Sequence, residues 1–143
     1  MNISKFTQKS VQAVQDLEKV AYEYGNQEIE QEHLLYTLLT QEDSLILKLI
    51  EKMEINKDYF MDTVKNALDA KVKVSGGELR FGQYLNKALV NAEDEAKAMG
   101  DEYVSVEHLF LALLKYPSPS MKKIWSEFGI TRERFLQALS TVR

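Results

Sequence analysis

The chain contains an internal repeat, and this repeat constrains the fold more than any other feature of the sequence. Shifting the sequence by 75 residues aligns 6–68 with 81–143 without a gap. Identical pairs in this alignment include Phe6/Phe81, Ala13/Ala88, Gly25/Gly100, Glu32/Glu107, His33/His108 and Leu34/Leu109. Two copies of one unit are expected to pack with pseudo-twofold symmetry. We therefore predict a single domain over 1–143, with repeats at 6–68 and 81–143 joined by a linker at 71–80.

Apolar residues recur at helical spacing in both repeats, which predicts an all-α fold with four helices per repeat. The predicted helices cover about 7–24, 31–41, 45–53, 57–70, 83–99, 106–115, 119–128 and 132–142. Residues suited to the N-cap position precede several of them, namely Thr7, Ser44, Asn56, Ser105 and Thr131. Gly25 and Gly100 follow the first helix of each repeat, where a glycine with positive φ ends a helix. No segment shows the alternation of a strand, and the glycines and lysines of 71–80 predict a mobile, solvated linker.

Composition and charge exclude several classes of protein. The chain has no cysteine, which excludes disulfides, zinc fingers, thiol catalysis and Fe–S clusters within it. The net charge is −4 and the basic residues are scattered, which argues against a nucleic-acid-binding surface. Apolar runs are short and the N-terminus has no apolar signal core, so we expect a cytoplasmic protein without a membrane span.

Signatures of catalysis are incomplete. Gly77 and Gly82 have the spacing of a phosphate-binding loop, but Gln83 and Tyr84 follow where that loop needs Lys and Ser/Thr. The two histidines lie at equivalent helix starts, where a hydrogen bond within the first turn is the ordinary interpretation. A two-histidine metal site, or a hydrolase that uses a histidine and a glutamate, is kept as an alternative. The acidic run 93–95 predicts a solvated helix face. We expect a chain that is not an enzyme and holds no metal.

Several stretches of the sequence are similar to a known family. They are SKFTQKSVQAV, GNQEIEQEHLLYTLL, VSGGELR, GDEYVSVEHLFLALL and GITRERFLQALSTVR. Through them the whole chain resembles the N-terminal domain of Clp-family unfoldases, a duplicated four-helix unit. Within that family it is most similar to the ClpB disaggregase branch. The protease-coupled ClpC branch usually carries Gly-Thr-Glu-His in each repeat, whereas this chain has Glu-Gln-Glu-His at 30–33 and Ser-Val-Glu-His at 105–108.

The resemblance implies a non-catalytic domain that binds unfolded or aggregated polypeptide and presents it to the pore of a hexameric AAA+ ring. It implies no cofactor in this chain, because ATP and Mg²⁺ belong to ATPase modules that this sequence does not contain. It also implies cooperation of the full-length protein with the DnaK chaperone system, while the isolated domain is expected to be a monomer. The alternatives are an adaptor- or phosphoarginine-docking domain of a ClpC-like unfoldase, and a purely structural interaction module.

Capture of unfolded polypeptide requires an exposed apolar groove with a polar rim. The apolar candidates lie near the linker and the helix starts, and they are Leu79, Phe81, Tyr84, Leu85 and Tyr103. The resemblance adds Thr7, Asp101 and Glu107, which match positions implicated in chaperone activity. It also adds Glu32, because the matching pair of glutamates binds phosphorylated arginine in the ClpC branch. Each polar candidate also has a structural interpretation, such as a helix cap for Thr7.

Overall fold

The structure is a computed structural model, and it describes residues 2–143. A short 3₁₀ turn at Ile3–Lys5 precedes the first repeat. The helices of the first repeat are α1 (Gln8–Gln15), α2 (Leu17–Glu23), α3 (Gln31–Thr40), α4 (Leu45–Lys52) and α5 (Lys57–Asp69). Those of the second repeat are α6 (Gln83–Ala98), α7 (Val106–Lys115), α8 (Pro119–Phe128) and α9 (Arg132–Ser140). The prediction of an all-α fold built from two helical repeats is therefore confirmed.

The helix predicted at about 7–24 is the one that the structure divides. It is interrupted at Asp16, which ends α1 and precedes α2. The backbone hydrogen bonds continue through the interruption, because the Asp16 N–H donates to Gln12 O at 3.0 Å and the Val20 N–H donates to Asp16 O at 3.1 Å. The chain therefore bends without leaving the helical path, and the two pieces together correspond to α6 of the second repeat.

Capping groups explain why the helices begin and end where the sequence predicts. The Thr7 hydroxyl accepts from Ser10 N–H at 3.2 Å, and the Ser44 hydroxyl accepts from Leu47 N–H at 3.1 Å. Each such bond satisfies an amide in the first turn that has no partner inside the helix. Gly25 and Gly100 both have a φ of +72°, a backbone conformation that residues with a Cβ atom rarely adopt. The predicted caps are therefore confirmed at both ends.

Two short parallel β contacts join the repeats, and the prediction that the chain contains no strand is wrong. Strand β1 (Glu28–Ile29) pairs with β2 (Arg80–Phe81), so that Ile29 lies opposite Phe81. Phe6 forms an isolated parallel bridge with Val104. The repeat alignment exchanges these two contacts, because Phe6 matches Phe81 and Ile29 matches Val104. The first residue of each repeat therefore pairs with a segment of the other repeat, which is the arrangement expected of a pseudo-twofold axis.

The linker at 71–80 is anchored at both ends. The Val74 N–H donates to Gly25 O at 2.8 Å, and the Asn26 side chain donates to Val72 O at 3.1 Å. Arg80 already belongs to β2. The residues between Val72 and Glu78 are exposed, as predicted. The hydrogen bonds and the strand pairing hold the two ends of the linker against the rest of the domain.

The core lies between the repeats, around α3 and α7. Both helices are buried on nearly every side, so their later turns are mostly apolar, while most of their buried polar side chains lie in the first turn. Aromatic contact links the halves, since the rings of Phe60 and Phe128 meet edge to face at 4.9 Å. The prediction of a fully solvated acidic run at 93–95 is wrong for Glu95, which is buried and paired with Arg132 at 2.8 Å. Within residues 2–143, no helix combines the length and the apolar character that crossing a membrane requires.

Candidate functional site

The two histidines hold equivalent helix starts in place. His33 Nδ1 accepts from Glu30 N–H, and His108 Nδ1 accepts from Ser105 N–H, both at 2.8 Å. Nε2 of each ring therefore carries the hydrogen, and it donates to Asn26 Oδ1 at 2.9 Å and to Asp101 Oδ2 at 2.7 Å respectively. Both nitrogens of each ring are engaged within the fold, so neither histidine is free to act as a base on a ligand.

The structure also bears on the metal-site alternative. Across residues 2–143, no three His, Cys, Asp or Glu side chains lie together in a way that could hold an ion. The two-histidine alternative therefore has no third protein ligand in the described part of the chain.

A groove between the repeats brings two of the predicted polar residues together. We call it the Val106 groove, and its volume is about 460 Å³. Three segments line it, the start of α1, the loop between α3 and α4, and the start of α7. The lining residues are Thr7, Gln8, Lys9, Gln41, Asp43, Leu45, Ser105, Val106 and Glu107. The groove is thus built from both repeats, and it exists only when they pack together.

Hydrogen bonds to backbone carbonyl groups fix the walls of the Val106 groove. The Thr7 N–H donates to Val104 O at 3.0 Å, which ties the start of α1 to the segment before α7. The Gln41 side chain donates to Lys9 O at 2.8 Å, and the Lys9 amine donates to Glu42 O at 2.7 Å. These bonds hold the first helix against the loop that follows α3. The walls are therefore preorganised, which lowers the entropy cost of binding a ligand.

The lining of the Val106 groove combines apolar and charged side chains. Leu45 is partly exposed and Val106 is buried with 6% exposure, so Leu45 supplies more of the apolar surface. The carboxylates of Asp43 and Glu107 and the amine of Lys9 also line the groove, and Asp43 pairs with Lys48 at 2.7 Å. A surface of this kind can accept an apolar side chain and attract a cation beside it.

A guanidinium already lies against the carboxylate of Glu107 and that of the neighbouring Asp101. Arg143 Nη2 lies 2.7 Å from Asp101 Oδ2 and 3.0 Å from Glu107 Oε2. The hydrogen bond from Arg143 lowers the pKa of Asp101 below its usual range, with a smaller contribution from His108. The same contact raises the pKa of Arg143. This arrangement shows that the Asp101–Glu107 pair can hold a planar cation.

Replacing Arg143 by glutamine should raise the pKa of Asp101 toward its ordinary value, because the largest stabilising contact of the carboxylate is lost. Titration of the Asp101 carboxyl signal by NMR measures this directly. Lys122 is exposed on α8, so Lys122→Gln serves as the control and should leave that pKa unchanged. An Asp101 pKa that stays low in Arg143→Gln would contradict the assignment.

The predicted polar residues converge, with one exception. Thr7 and Glu107 line the Val106 groove, and Asp101 adjoins it through Arg143. Glu32 is only 1% exposed and lies outside this groove. It accepts from the Ser120 hydroxyl at 2.5 Å and pairs with Lys71 at 3.3 Å, so its carboxylate is already used inside the fold.

The predicted apolar residues do not form one surface. Leu85 is fully buried, so its prediction as a capture residue is corrected to a core role. Phe81 is half-buried against the core through its position in β2. Leu79 lines a separate cavity of about 250 Å³ beside the glycines of the linker. Tyr84 and Tyr103 are about half exposed and neither lines the Val106 groove.

Sequence reasoning missed the apolar residues that do line the groove, Leu45 and Val106. Both occupy the first position of a helix after a capping serine, and the apolar stripe inferred from helical spacing does not include them. The usable signal was the mismatch between repeats, because Ser120 and Gln31 stand at the equivalent positions. A position that is apolar in one repeat and polar in the other indicates a difference in environment.

The comparisons with known proteins agree with this architecture. The model of the Clp repeat (R) N-terminal domain family matches residues 5–128. A chaperone protein ClpB from Nitratidesulfovibrio vulgaris is 38% identical over all of this chain, and one from Porphyromonas gingivalis is 40% identical over all of it. The chain spans 17% and 16% of the lengths of these two relatives.

Solved structures show the same fold. The Hsp104 N-terminal domain from Candida albicans superposes with a TM-score of 0.80 at 21% identity, covering 94% of this chain and 88% of that one. The ClpV N-domain in complex with a VipB peptide superposes with a TM-score of 0.69 at 19% identity, covering 88% and 80%. The family match, the ClpB relatives and the duplicated helical architecture together show that this chain belongs to the Clp N-terminal domain family and is ClpB-like.

Proposed function

We propose that this chain is the substrate-binding N-terminal domain of an ATP-dependent protein disaggregase, and that it binds unfolded or aggregated polypeptide in the Val106 groove. The observation that carries the proposal is the meeting of Thr7 and Glu107 with the apolar surfaces of Leu45 and Val106 in one groove. The sequence alone already indicates Thr7 and Glu107 as binding residues. Leu45 and Val106 add apolar surface, which the exposed apolar side chains of an unfolded polypeptide can contact.

The chemistry of the groove favours segments in which an apolar side chain stands beside an arginine or lysine. The apolar side chain gains contact with Leu45 and Val106, and the cation is attracted by the carboxylates that line the groove. The groove holds only a short segment, so we expect dissociation constants of about micromolar or weaker. Weak binding suits a module that must release its substrate for threading.

Replacing Leu45 by serine should weaken the binding of unfolded casein by about tenfold, because an apolar contact worth about 1.5 kcal/mol is lost. Serine is the residue that the second repeat carries at the equivalent position, Ser120, so the change is compatible with the fold. Fluorescence anisotropy of labelled casein titrated with this chain measures the affinity.

The control for this experiment is Val90→Ser. Val90 is 55% exposed on α6 and does not line the Val106 groove, so its loss should leave the affinity unchanged. Equal affinities for the wild-type chain and Leu45→Ser would reject the groove as the binding site. The absence of casein binding by the wild-type chain would reject the proposed function itself.

We place this activity in a cytoplasmic hexamer whose ATPase modules thread the captured chain with help from the DnaK system. The support is the similarity to ClpB chaperones along the full chain. In the full-length protein, Leu45→Ser should slow disaggregation while ATP hydrolysis without substrate is unchanged. Recovery of a folded adaptor in place of unfolded substrate by a pull-down would instead favour the adaptor-docking role.

A further inference from the structure

The pseudo-twofold axis places a second position opposite the Val106 groove, and its chemistry differs. We call it the Gln31 position. It is formed by the start of α6, the loop between α7 and α8, and the start of α3. Its residues correspond one by one to those of the Val106 groove, and they are Gly82, Gln83, Tyr84, Tyr116, Ser118, Ser120, Glu30, Gln31 and Glu32.

The side chain of Gln31 fills this second position. Its amide nitrogen donates to Tyr84 O at 3.0 Å and to Tyr116 O at 2.7 Å. Its amide oxygen accepts from Ser118 N–H at 2.9 Å. Gln31 is fully buried, so all three bonds form away from solvent. One side chain from the start of α3 therefore joins the two walls, whereas the walls of the Val106 groove are joined by Gln41 and Lys9, which belong to the walls themselves.

The two positions differ because the side-chain amide that joins the walls comes from a different residue in each. In the first repeat, Gln41 bonds Lys9 O from within the same repeat. The equivalent of Gln41 is Tyr116, which has no amide side chain, and the bridge comes from Gln31 of the opposite repeat. Because Gln41 already supplies the bond at the first position, position 106 is free to be a valine, and the space above it stays open.

The carboxylate at the Gln31 position, that of Glu32, is also inaccessible to a ligand. Glu32 accepts from Ser120 and pairs with Lys71, and it is only 1% exposed. Its equivalent, Glu107, is held by Arg143, whose side chain is 36% exposed. An incoming cation can therefore compete with Arg143 for Glu107. Glu32 is covered by Ser120 and Lys71, so a cation cannot reach it.

We infer that Gln31 and Val106 set how many polypeptide segments the domain can hold. Gln31 closes one of two equivalent grooves and Val106 leaves the other open, so the domain binds a single segment. This inference rests on the proposed function of the Val106 groove. The occupant is a segment of unfolded polypeptide with an apolar side chain beside an arginine or lysine, because Asp43 and Glu107 line the groove and a guanidinium already rests on Glu107 and on the adjoining Asp101.

The probe for the test is a short, unstructured, fluorescein-labelled peptide rich in leucine and arginine. Its affinity and stoichiometry are measured with the wild-type chain and three variants, and circular dichroism checks that each is folded. Val106→Gln should fill the open groove and weaken binding by at least about tenfold. Val106→Thr is its matched control, because threonine has nearly the volume of valine and should retain binding. Gln31→Val should open the second groove and raise the stoichiometry from one peptide to two at high peptide concentration, with the second peptide bound at least about tenfold more weakly because Ser120 stands where the first groove has Leu45.

The outcomes separate this inference from the proposed function. A wild-type chain that binds no peptide overturns the proposed function. A wild-type chain that binds, combined with full binding by Val106→Gln or a stoichiometry of one for folded Gln31→Val at high peptide concentration, overturns the inference alone. Gln31→Val removes three buried hydrogen bonds, and if it does not fold, the comparison of Val106→Gln with Val106→Thr still decides.

Discussion

Replacing Phe110 by alanine should lower the free energy of unfolding by about 3–5 kcal/mol, the cost typical of removing a buried aromatic side chain. Phe110 is fully buried on α7. Its ring stacks on Phe135 at 4.4 Å and meets Trp125 edge to face at 5.2 Å. The substitution therefore removes apolar contact and leaves a cavity between three helices. Chemical denaturation monitored by circular dichroism measures the loss.

The matched control for Phe110→Ala is Tyr22→Ala. Tyr22 is 80% exposed on α2, so removing its ring should change the free energy of unfolding by no more than about 0.5 kcal/mol. Domains of this size typically have an unfolding free energy of about 5–15 kcal/mol, so Phe110→Ala removes a large part of it. A change in Phe110→Ala as small as that in Tyr22→Ala would show that the aromatic cluster does not support the second repeat.

The second large effect is a loss of stability in mild acid that comes from His33. Burial lowers the pKa of His33 from 6.5 to about 4, and the charge of Lys71 acts in the same direction. Glu32 and Glu30 oppose this shift, Lys73 adds to it, and the Asn26 oxygen accepts from the ring. The native state therefore strongly prefers the neutral ring.

The sign of the pH dependence follows from that preference. Between pH 6.5 and about 4, the unfolded chain binds a proton at His33 that the native chain does not bind. The unfolding free energy must then fall as the pH falls through this window, and the total loss is about 3 kcal/mol. Unfolding curves recorded between neutral pH and pH 4 measure the slope.

Asn26→Asp is the variant that tests this explanation, because it copies the second repeat, where Asp101 accepts from His108. A carboxylate beside His33 should stabilise the protonated ring and raise its pKa, so the stability loss between pH 6.5 and 4 should shrink. The variant also loses the amide donor to Val72 O, so its stability at neutral pH should be lower by about 1 kcal/mol. An unchanged slope in Asn26→Asp would show that another group causes the acid sensitivity.

Local signals were sufficient to predict the helices. Capping side chains such as Ser44 and Asn56 act on amides three residues away, so the sequence contains both partners of the interaction. The glycines that end helices act through their own φ angle. The resemblance to the Clp family correctly identified the family and the duplicated architecture.

Contacts between the repeats were the part that local patterns could not predict. Strands of two residues, such as Glu28–Ile29, are too short to show alternation and depend on a partner far along the chain. Leu85 and Tyr103 look alike as apolar residues near helix starts, yet one is fully buried and the other is half exposed. Their exposure depends on how the second repeat packs against the first.

The asymmetry between the two grooves illustrates the same limit. Gln31 reads as a polar residue at the start of a helix, for which a solvated position is the usual expectation. Only the structure shows that Tyr84 O, Tyr116 O and Ser118 N–H surround it. Comparison of equivalent positions in the repeats locates such differences, while the geometry explains them.

Amide NMR of the isotope-labelled chain titrated with unlabelled casein locates the surface that binds unfolded polypeptide. Binding in the Val106 groove predicts that the largest chemical-shift changes occur at residues such as Gln8, Leu45 and Val106, with little change at Tyr84 and Ser118 around the closed position. Changes centred on the Gln31 position, or on a surface that does not include the Val106 groove, would contradict it.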